Sequence, residues 1–227
     1  MYRAKKNSKR KVSLTLCFFS VALSGCVTTN VDEFLKSTTL INNGDGIVVL
    51  GRKSTYSHET EDSFVECVSS NLEGLELIDP AEFTDAMYPW MEPYRAPLVV
   101  SDVSSLLTNP TVLARIKSVG VRYMIWLDGA TKTDESGSMT CSIGPGGGGC
   151  FGFLTFEQDS EYEANVWDIE SSSVVGRVSS NANGTSYVPG LVVPIPIIAQ
   201  VQKNACKGIA EQLKGFIQTQ DPIARNG

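Results

Sequence analysis

Few side chains in this sequence have the type and spacing that catalysis needs. His58 is the only histidine, and no Gly-x-Ser-x-Gly motif supplies a nucleophilic serine for it to activate. Asp128 and Asp168 follow apolar runs and are the best-placed carboxylates for a two-carboxylate hydrolase. Aspartates at strand ends more commonly form turns. We therefore predict no catalytic residue, and we expect the protein not to be an enzyme.

A glycine-rich stretch at residues 144–149 is the next feature that suggests a ligand. It lacks the Lys-Ser/Thr pair that a phosphate-binding P-loop requires. Cys141 and Cys150 flank it, but their spacing is not the Cys-x2-Cys spacing of zinc sites. The pattern predicts a hairpin tip closed by a disulfide, with no cofactor and no metal.

The first 25 residues predict export. A basic cluster without acidic residues precedes a run of about a dozen mostly apolar residues, Val12 to Leu23, which is too short for a permanent membrane helix. This arrangement is typical of a secretory signal. The sequence Leu23-Ser24-Gly25-Cys26 that ends it resembles the lipobox of bacterial lipoproteins.

The lipobox resemblance implies cleavage after Gly25 and a diacylglyceryl thioether on Cys26. Val27 stands where an aspartate would signal retention in the inner membrane, so the resemblance implies an outer-membrane address. We therefore expect a lipid-anchored protein whose domain faces the periplasm.

Charge excludes one class of partner. Removing residues 1–25 removes six of the 19 basic residues and none of the 25 acidic ones, which leaves a formal net charge of −12. Such a chain repels nucleic acid and anionic head groups, so attachment to a membrane must come from the lipid. About 200 residues remain, which is enough for one domain with a core.

Four cysteines fall in the part of the chain that follows the anchor. In an oxidising compartment four cysteines predict two disulfides, with three connectivities. Cys141 and Cys150 are the natural local pair, which leaves Cys67 and Cys206 as a long-range pair. The alternative is that Cys67 and Cys206 are buried free thiols.

The hydrophobic pattern predicts an α/β (α+β) fold: a mixed parallel and antiparallel sheet packed with helices in a single domain. Short apolar runs predict buried strands, and capping signals at Ser63, Asp79 and Asn109 predict helix starts. The expected organisation is a signal peptide at 1–25, a lipidated N-terminus and tether at 26–45, and an α/β domain at 46–220. The predicted elements are strands 47–50, 75–78, 123–127, 151–158, 161–169 and 174–179, and helices starting near 63, 79, 109 and 198.

Two segments carry a resemblance to known envelope proteins. Residues 119–125 and 166–169, with Val175-Gly176, resemble the helix-Gly-strand and strand-turn-strand patterns of three groups. These are curli-secretion-channel-like lipoproteins, lipoprotein activators of penicillin-binding proteins, and the N-terminal domain of the Tol-system propeller protein. The resemblance implies this fold. The chain departs from it in its glycine loop and its proline-rich stretch, and we expect no pair of long alternating strands able to line a pore.

The sequence thus favours a lipoprotein that works through protein contacts as an envelope accessory or assembly factor. A periplasmic hydrolase acting on cell-wall material and a pore-forming secretion subunit are the alternatives, and self-association is left open. Two segments are candidates for a partner surface: the proline-rich loop at 89–98 and the apolar stretch at 188–198, for which a buried lead-in to the last helix is the alternative. The candidate residues are Tyr88, Trp90, Tyr94, Leu191, Val192 and Ile195.

Overall fold

The computed structural model describes residues 27–35, 44–53, 59–72, 74–144, 147–189 and 200–218. These residues form six strands and five helices. The strands are β1 Val27–Leu35, β2 Gly46–Gly51, β3 Leu77–Ile78, β4 Val121–Gly144, β5 Gly147–Asp168 and β6 Ser173–Pro189. The helices are α1 Asp62–Asn71, α2 Pro80–Ala86, α3 Val100–Leu107, α4 Pro110–Ser118 and α5 Gln200–Gln218.

One mixed sheet organises the fold, with strand order β1-β6-β5-β4-β2-β3. Strands β3, β2 and β4 run parallel, and β4, β5, β6 and β1 pair antiparallel. The parallel pairs require crossover helices, whereas the antiparallel strands follow one another directly. The predicted mixed sheet in a single α+β domain is confirmed.

Two hydrophobic cores cover the two faces of the sheet. The first joins the sheet to α1 and α5 and contains Ile47, Tyr123, Ile125 and Tyr162. The second joins the opposite face to α2, α3 and α4 and contains Val48, Met124 and Trp126. Neighbouring residues of β2 and β4 enter different cores because successive side chains of a strand point to opposite faces.

Helix starts follow the capping signals at two of the three predicted sites. The Asp79 carboxylate accepts from the N–H groups of Ala81 and Glu82, and the Asn109 side chain accepts from those of Thr111 and Val112. The predicted capping box at Ser63 is wrong. Helix α1 begins at Asp62 with Glu61 as N-cap, and Glu61 forms no side-chain cap because its carboxylate is bonded elsewhere.

The N-terminal part of the expected tether is a strand. Residues 27–35 pair with β6 as β1, from Val27 opposite Gly184 to Leu35 opposite Gly176. Val31 packs under α5 at Gly208, where a Cβ would lie 2.8 Å from the Val31 methyl group. A glycine is needed at this close approach of helix and strand. Among the side chains of β1 that the structure describes, only those of Val27 and Val31 pack against the core, so the alternation of apolar residues is too weak to predict a strand from the sequence.

The long-range cysteine pair is present. Cys67 of α1 and Cys206 of α5 form a disulfide with their Cα atoms 6.2 Å apart. This confirms the predicted pairing and excludes the alternative of two buried free thiols. Cys141 is also disulfide-bonded, and it lies directly opposite Cys150 in the register of β4 and β5.

Candidate functional site

Asp128 and Asp168 do not form a two-carboxylate site. In the β4–β5 register Tyr123 lies opposite Asp168, five residues along the strand from Asp128. Five residues of strand span about 17 Å, and the odd number places the two carboxylates on opposite faces of the sheet. Glycosidases need their carboxylates within about 10 Å in one cleft. His58 lies outside the described residues.

Each aspartate is instead paired with an arginine. Asp128 accepts from Arg52 at 2.8 Å. The nearly buried Asp168 is bonded to Arg122 and accepts from the N–H groups of Glu170 and Ser171, where the chain turns after β5. Burial alone would raise the pKa of Asp168, but these hydrogen bonds outweigh it and hold the pKa below its ordinary value. Asp168 anchors a turn.

The structure describes three of the six residues of the predicted partner surface. Tyr88 and Tyr94 are 68% and 78% exposed, whereas Trp90 is half-buried and packs against the second core. Leu98 and Val99 extend the exposed apolar surface along the same loop. The other three candidates, Leu191, Val192 and Ile195, lie outside the described residues.

A cavity of about 430 Å³ opens beneath this loop. It lies beyond the carboxyl ends of the parallel strands β2 and β3. Helix α1, which follows β2, covers one face of the sheet, and α2, which follows β3, covers the other. In open α/β sheets, ligands bind in the crevice where the helices that follow adjacent strands pass to opposite faces of the sheet. The lining residues are Leu50, Gly51, Lys53, Glu59, Asp62, Val65, Pro80, Thr84, Met91, Pro93, Ala96 and Trp126.

The most extended feature of the molecule is a β-hairpin formed by residues 131–144 of β4 and 147–160 of β5, which we call the arm. Its 14 register pairs run from Thr131 opposite Ser160 to Gly144 opposite Gly147, roughly 45 Å along the strands. Among the arm residues whose side chains the structure describes, none belongs to either core. The expectation that the chain lacks a pair of long strands is therefore wrong.

The arm presents open strand edges. Strand β2 pairs with β4 only as far as Leu127, so no described strand covers the outer edge of β4 from Asp128 onward. On the other side β6 pairs with β5 as far as Phe153, and β1 covers β6 as far as Gly184, so no described strand covers the outer edge of residues 185–189. The β4–β5 register is unbroken by a bulge, and β4 contains no proline. Two devices that protect strand edges, a bulge and a proline, are thus missing from β4, and its charged side chains lie in the half of the arm nearer the domain, at Lys132, Asp134 and Glu135.

A polar cluster, which we call the root, ties the arm to two helices. Tyr162 donates to Glu61 Oε2 at 2.8 Å, and the backbone N–H of Thr131 donates to Glu61 Oε1 at 3.0 Å. The Thr131 hydroxyl lies 2.8 Å from both the Tyr162 hydroxyl and Ser160 Oγ. Gln202, in the first turn of α5, donates to the Tyr162 hydroxyl at 3.3 Å. Glu61 thus leaves α1 without a side-chain cap and holds the arm.

The root rests on close packing. Phe64 of α1 stacks on Tyr162 with ring centroids 3.6 Å apart and planes 7° apart. Gly129 lies beside it with φ at +136°, and a Cβ there would fall 2.1 Å from the carbonyl oxygen of Glu161. Only glycine permits β4 to approach β5 so closely. Aromatic stacking and backbone contact therefore fix where the arm leaves the domain.

Replacing Tyr162 with Phe should lower the free energy of unfolding by about 1–3 kcal/mol, because Glu61 and Thr131 lose a buried partner. Burial, opposed by hydrogen bonds from Thr131 and Gln202, raises the pKa of Tyr162 above its ordinary value. The unfolded tyrosine ionises near pH ~10 while the folded one stays protonated, so wild-type stability falls as the pH rises above that value. Denaturant titrations from neutral to alkaline pH would show the difference in free energy of unfolding between wild type and variant becoming smaller once the pH exceeds the pKa of an unfolded tyrosine.

Tyr94→Phe is the matched control, because its hydroxyl belongs to an exposed side chain. We expect it to leave both the stability and its alkaline profile unchanged. A Tyr162→Phe protein as stable as wild type, with the same alkaline loss, would show that the hydrogen bonds of the root contribute nothing.

Comparisons with known proteins do not assign a family. No family model and no curated protein matches the chain. Similar solved structures include a PelC dodecamer from Paraburkholderia phytofirmans, with 16% identity over 85% of this chain and 98% of that chain and a TM-score of 0.36. Others are a hypothetical protein from Chlamydia trachomatis (9% identity, 76% and 98% covered, TM-score 0.34) and a putative neuraminyllactose-binding hemagglutinin homolog from Helicobacter pylori (11%, 82% and 92%, 0.37).

Likenesses at this level define neither a family nor a function, so the resemblance drawn from the sequence stays a prediction. Among the described residues no helix is long and apolar enough to cross a membrane. The same residues contain no cluster of histidine, cysteine and carboxylate side chains that could hold a metal ion.

Proposed function

We propose that the chain is a lipid-anchored protein of the bacterial outer membrane that acts through protein contacts as an accessory or assembly factor, and that the arm is its contact element. The arm is the observation on which this proposal rests. Beyond Phe153 the arm has only two described strands, and a two-stranded hairpin is marginally stable in water by itself. The open outer edge of β4 is also a template for pairing with another chain. None of the arm's described side chains belongs to either hydrophobic core, so this extension is best explained by what it binds.

Composition supports the same conclusion. The β4 half of the arm combines glycine with exposed polar side chains, including Lys132, Asp134 and Glu135, whereas the β5 half carries three phenylalanines. Backbone groups along the open edge of β4 are therefore better suited to recognition than its side chains are. In strand pairing the main-chain hydrogen bonds supply affinity, and the alternating side chains supply selectivity. The partner is thus expected to present a free strand edge of its own.

Site-directed photo-crosslinking in cells tests this function. A photoreactive amino acid at Ser138 or Thr140, both exposed in β4, should give a discrete adduct of higher mass with an envelope protein or with a second copy of the chain. The same amino acid at Glu82, exposed on α2, is the control and should give no such adduct. If neither arm position yields an adduct while the protein is folded and exported, the arm is not a contact element.

The anchor has its own test. Cys26→Ala should accumulate as an uncut precursor that incorporates no labelled palmitate, because the thioether must form before cleavage in lipoprotein maturation. Cys17→Ala, in the apolar run of the same signal, is the matched control and should mature normally. A Cys26→Ala protein that is cut and still sediments with membranes would remove the lipid anchor from the proposal.

A pore-forming secretion subunit is the second candidate, and one observation favours it. We expected no pore because the sequence shows no obvious pair of long strands. In the structure, β4 and β5 are such a pair, with 22 consecutive register pairs. Crosslinked products would separate the two candidates. A ladder of homo-oligomers in detergent supports the pore, and a single adduct with a different protein supports the accessory function.

A further inference from the structure

The Cys67–Cys206 disulfide lies close to the place where two helices hold the arm. Both helices reach the root with their first residues, since Glu61 precedes α1 and Gln202 belongs to the first turn of α5. Cys67 lies six residues after Glu61, about 9 Å along a helix. Cys206 lies four residues after Gln202, about 6 Å along a helix. The bond thus joins the two helices within about two turns of the root.

The disulfide is accessible from the Cys67 side. Cys206 is fully buried in the first core, whereas Cys67 is only partly buried and packs against that core. The side-chain amide of Asn71, an exposed residue, lies 3.8 Å from the Cys67 sulfur and 3.9 Å from the Cys206 sulfur. The bond therefore lies just beneath the surface at the end of α1, where an incoming thiolate can reach the Cys67 sulfur.

Reduction of the bond changes the packing of α1 against α5. Two thiol sulfurs in contact lie further apart than two bonded ones, and a close-packed core accommodates the increase only if its elements move. Val68 of α1 and Ala205 of α5 are fully buried in this core, so the two helices must shift. The Tyr162 hydroxyl then loses hydrogen-bond distance to Glu61 or to Gln202, whose bond is already 3.3 Å long.

We propose that the Cys67–Cys206 disulfide is a redox switch: the oxidised form fixes the arm at the root, and the reduced form loosens it while the domain stays folded. The thiolate of a dithiol reductant attacks the Cys67 sulfur, the S–S bond breaks, and Cys206 leaves as a thiolate that takes up a proton. The second thiol of the reductant attacks the mixed disulfide and frees Cys67 as a thiol. Two electrons thus pass to the protein, and the reductant becomes a disulfide. The loosening does not depend on what the arm binds, whereas its use as regulation rests on the proposed contact function.

NMR relaxation measurements test the switch. With Cys141→Ala and Cys150→Ala in place, dithiothreitol has one disulfide left to reduce in the mature protein, the one that joins α1 and α5. On reduction, the backbone order parameters of residues 131–138 should fall from the rigid value of about 0.85 to below about 0.6, while those of β2 stay rigid. An unchanged arm, or a loss of order in the arm and β2 together, overturns the proposal.

Two tyrosine variants show whether the effect passes through the root. Tyr162→Phe removes the hydroxyl that Glu61 and Gln202 share, so the arm should already be loose in its oxidised form. Reduction should then add little, because the two changes break the same contacts. Tyr94→Phe, at an exposed position, is the control and should respond to reduction as the parent protein does. A full redox response in Tyr162→Phe contradicts a switch that acts at the root.

Photo-crosslinking at Ser138 in the same Cys141→Ala and Cys150→Ala background separates the switch from the contact function. Treating cells with dithiothreitol should lower the adduct yield per folded protein at least about threefold, because a loose arm loses more conformational entropy on binding. A protein that also carries Cys67→Ala and Cys206→Ala is the control, and its yield should not respond to dithiothreitol. Equal yields in both redox states overturn the regulation. No adduct in either state refutes the contact function, whereas an arm that stays rigid on reduction refutes the switch.

Discussion

Replacing both Cys67 and Cys206 with alanine should lower the free energy of unfolding by about 5 kcal/mol. The disulfide links α1 to α5 across 139 residues of sequence. A crosslink over so long a loop removes much of the conformational entropy of the unfolded chain, and the loop-entropy relation gives roughly 5 kcal/mol for this length. Since domains are usually stable by only about 5–15 kcal/mol, the variant should unfold at a much lower denaturant concentration.

The location of the bond adds to this expectation. Cys206 is fully buried in the first core, and Asn71 donates weakly toward both sulfur atoms from the end of α1. Losing the bond therefore loosens the contact between the two helices that cover one face of the sheet. It also loosens the root, because Glu61 and Gln202 belong to the starts of these same helices.

Equilibrium denaturation of residues 27–227, monitored by circular dichroism, measures the effect. Cys141→Ala is the matched control, since Cys141 lies in the arm outside both cores and its loss should shift the midpoint far less. Chemical reduction of the wild type should reproduce the double variant. If the double variant unfolds at the same denaturant concentration as oxidised wild type, Cys67 and Cys206 are not bonded in the protein.

The central part of the fold is predictable from the sequence because its patterns are strong. Ile47–Leu50 and Tyr123–Leu127 are continuous apolar runs, and both form strands that contribute to the two cores. Asp79 and Asn109 each precede a proline, so cap and helix start coincide. These signals are local, and the structure retains them unchanged.

Elements that depend on distant residues are not predictable in this way. Helix α3 has two β-branched residues at its start and no conventional cap. It is held by the Asp102 carboxylate, which accepts from the backbone N–H groups of Leu98 and Val99, and by burial of Val103 and Leu107. Strand β1 is polar and depends on β6 and Gly208. The β4 half of the arm is rich in glycine and polar residues and was not predicted as a strand, whereas the predicted strand at 151–158 falls in its β5 half.

The root could not be predicted from the sequence for the same reason. Glu61 and Tyr162 are 101 residues apart, and nothing local marks a glutamate before a helix as the acceptor of a distant tyrosine. One signal was available. The alternation of Glu161, Tyr162 and Glu163 predicts a tyrosine facing the core, and a buried tyrosine hydroxyl requires a partner. Identifying that partner requires the register of β4 against β5.

Gly129→Ala should cost about 3–5 kcal/mol of stability, because two penalties coincide at the root. The backbone φ of +136° is one that residues with a Cβ rarely adopt, and such strain costs about 1–3 kcal/mol. The added Cβ would also lie 2.1 Å from the Glu161 carbonyl oxygen and 2.7 Å from the Tyr162 Cα. Both are backbone atoms, so relief requires β4 and β5 to separate where the arm begins.

Gly74→Ala separates the two penalties. Gly74 has a φ of +98°, and a Cβ there meets nothing within 4 Å, so this variant should show the backbone strain alone, about 1–2 kcal/mol. Hydrogen exchange locates the difference. Gly129→Ala should speed exchange along residues 131–144 and 147–160, whereas Gly74→Ala should leave the arm as protected as in wild type. Equal losses in the two variants, with an unchanged arm, would mean that the close approach of β4 to β5 at Gly129 does not fix the arm to the domain.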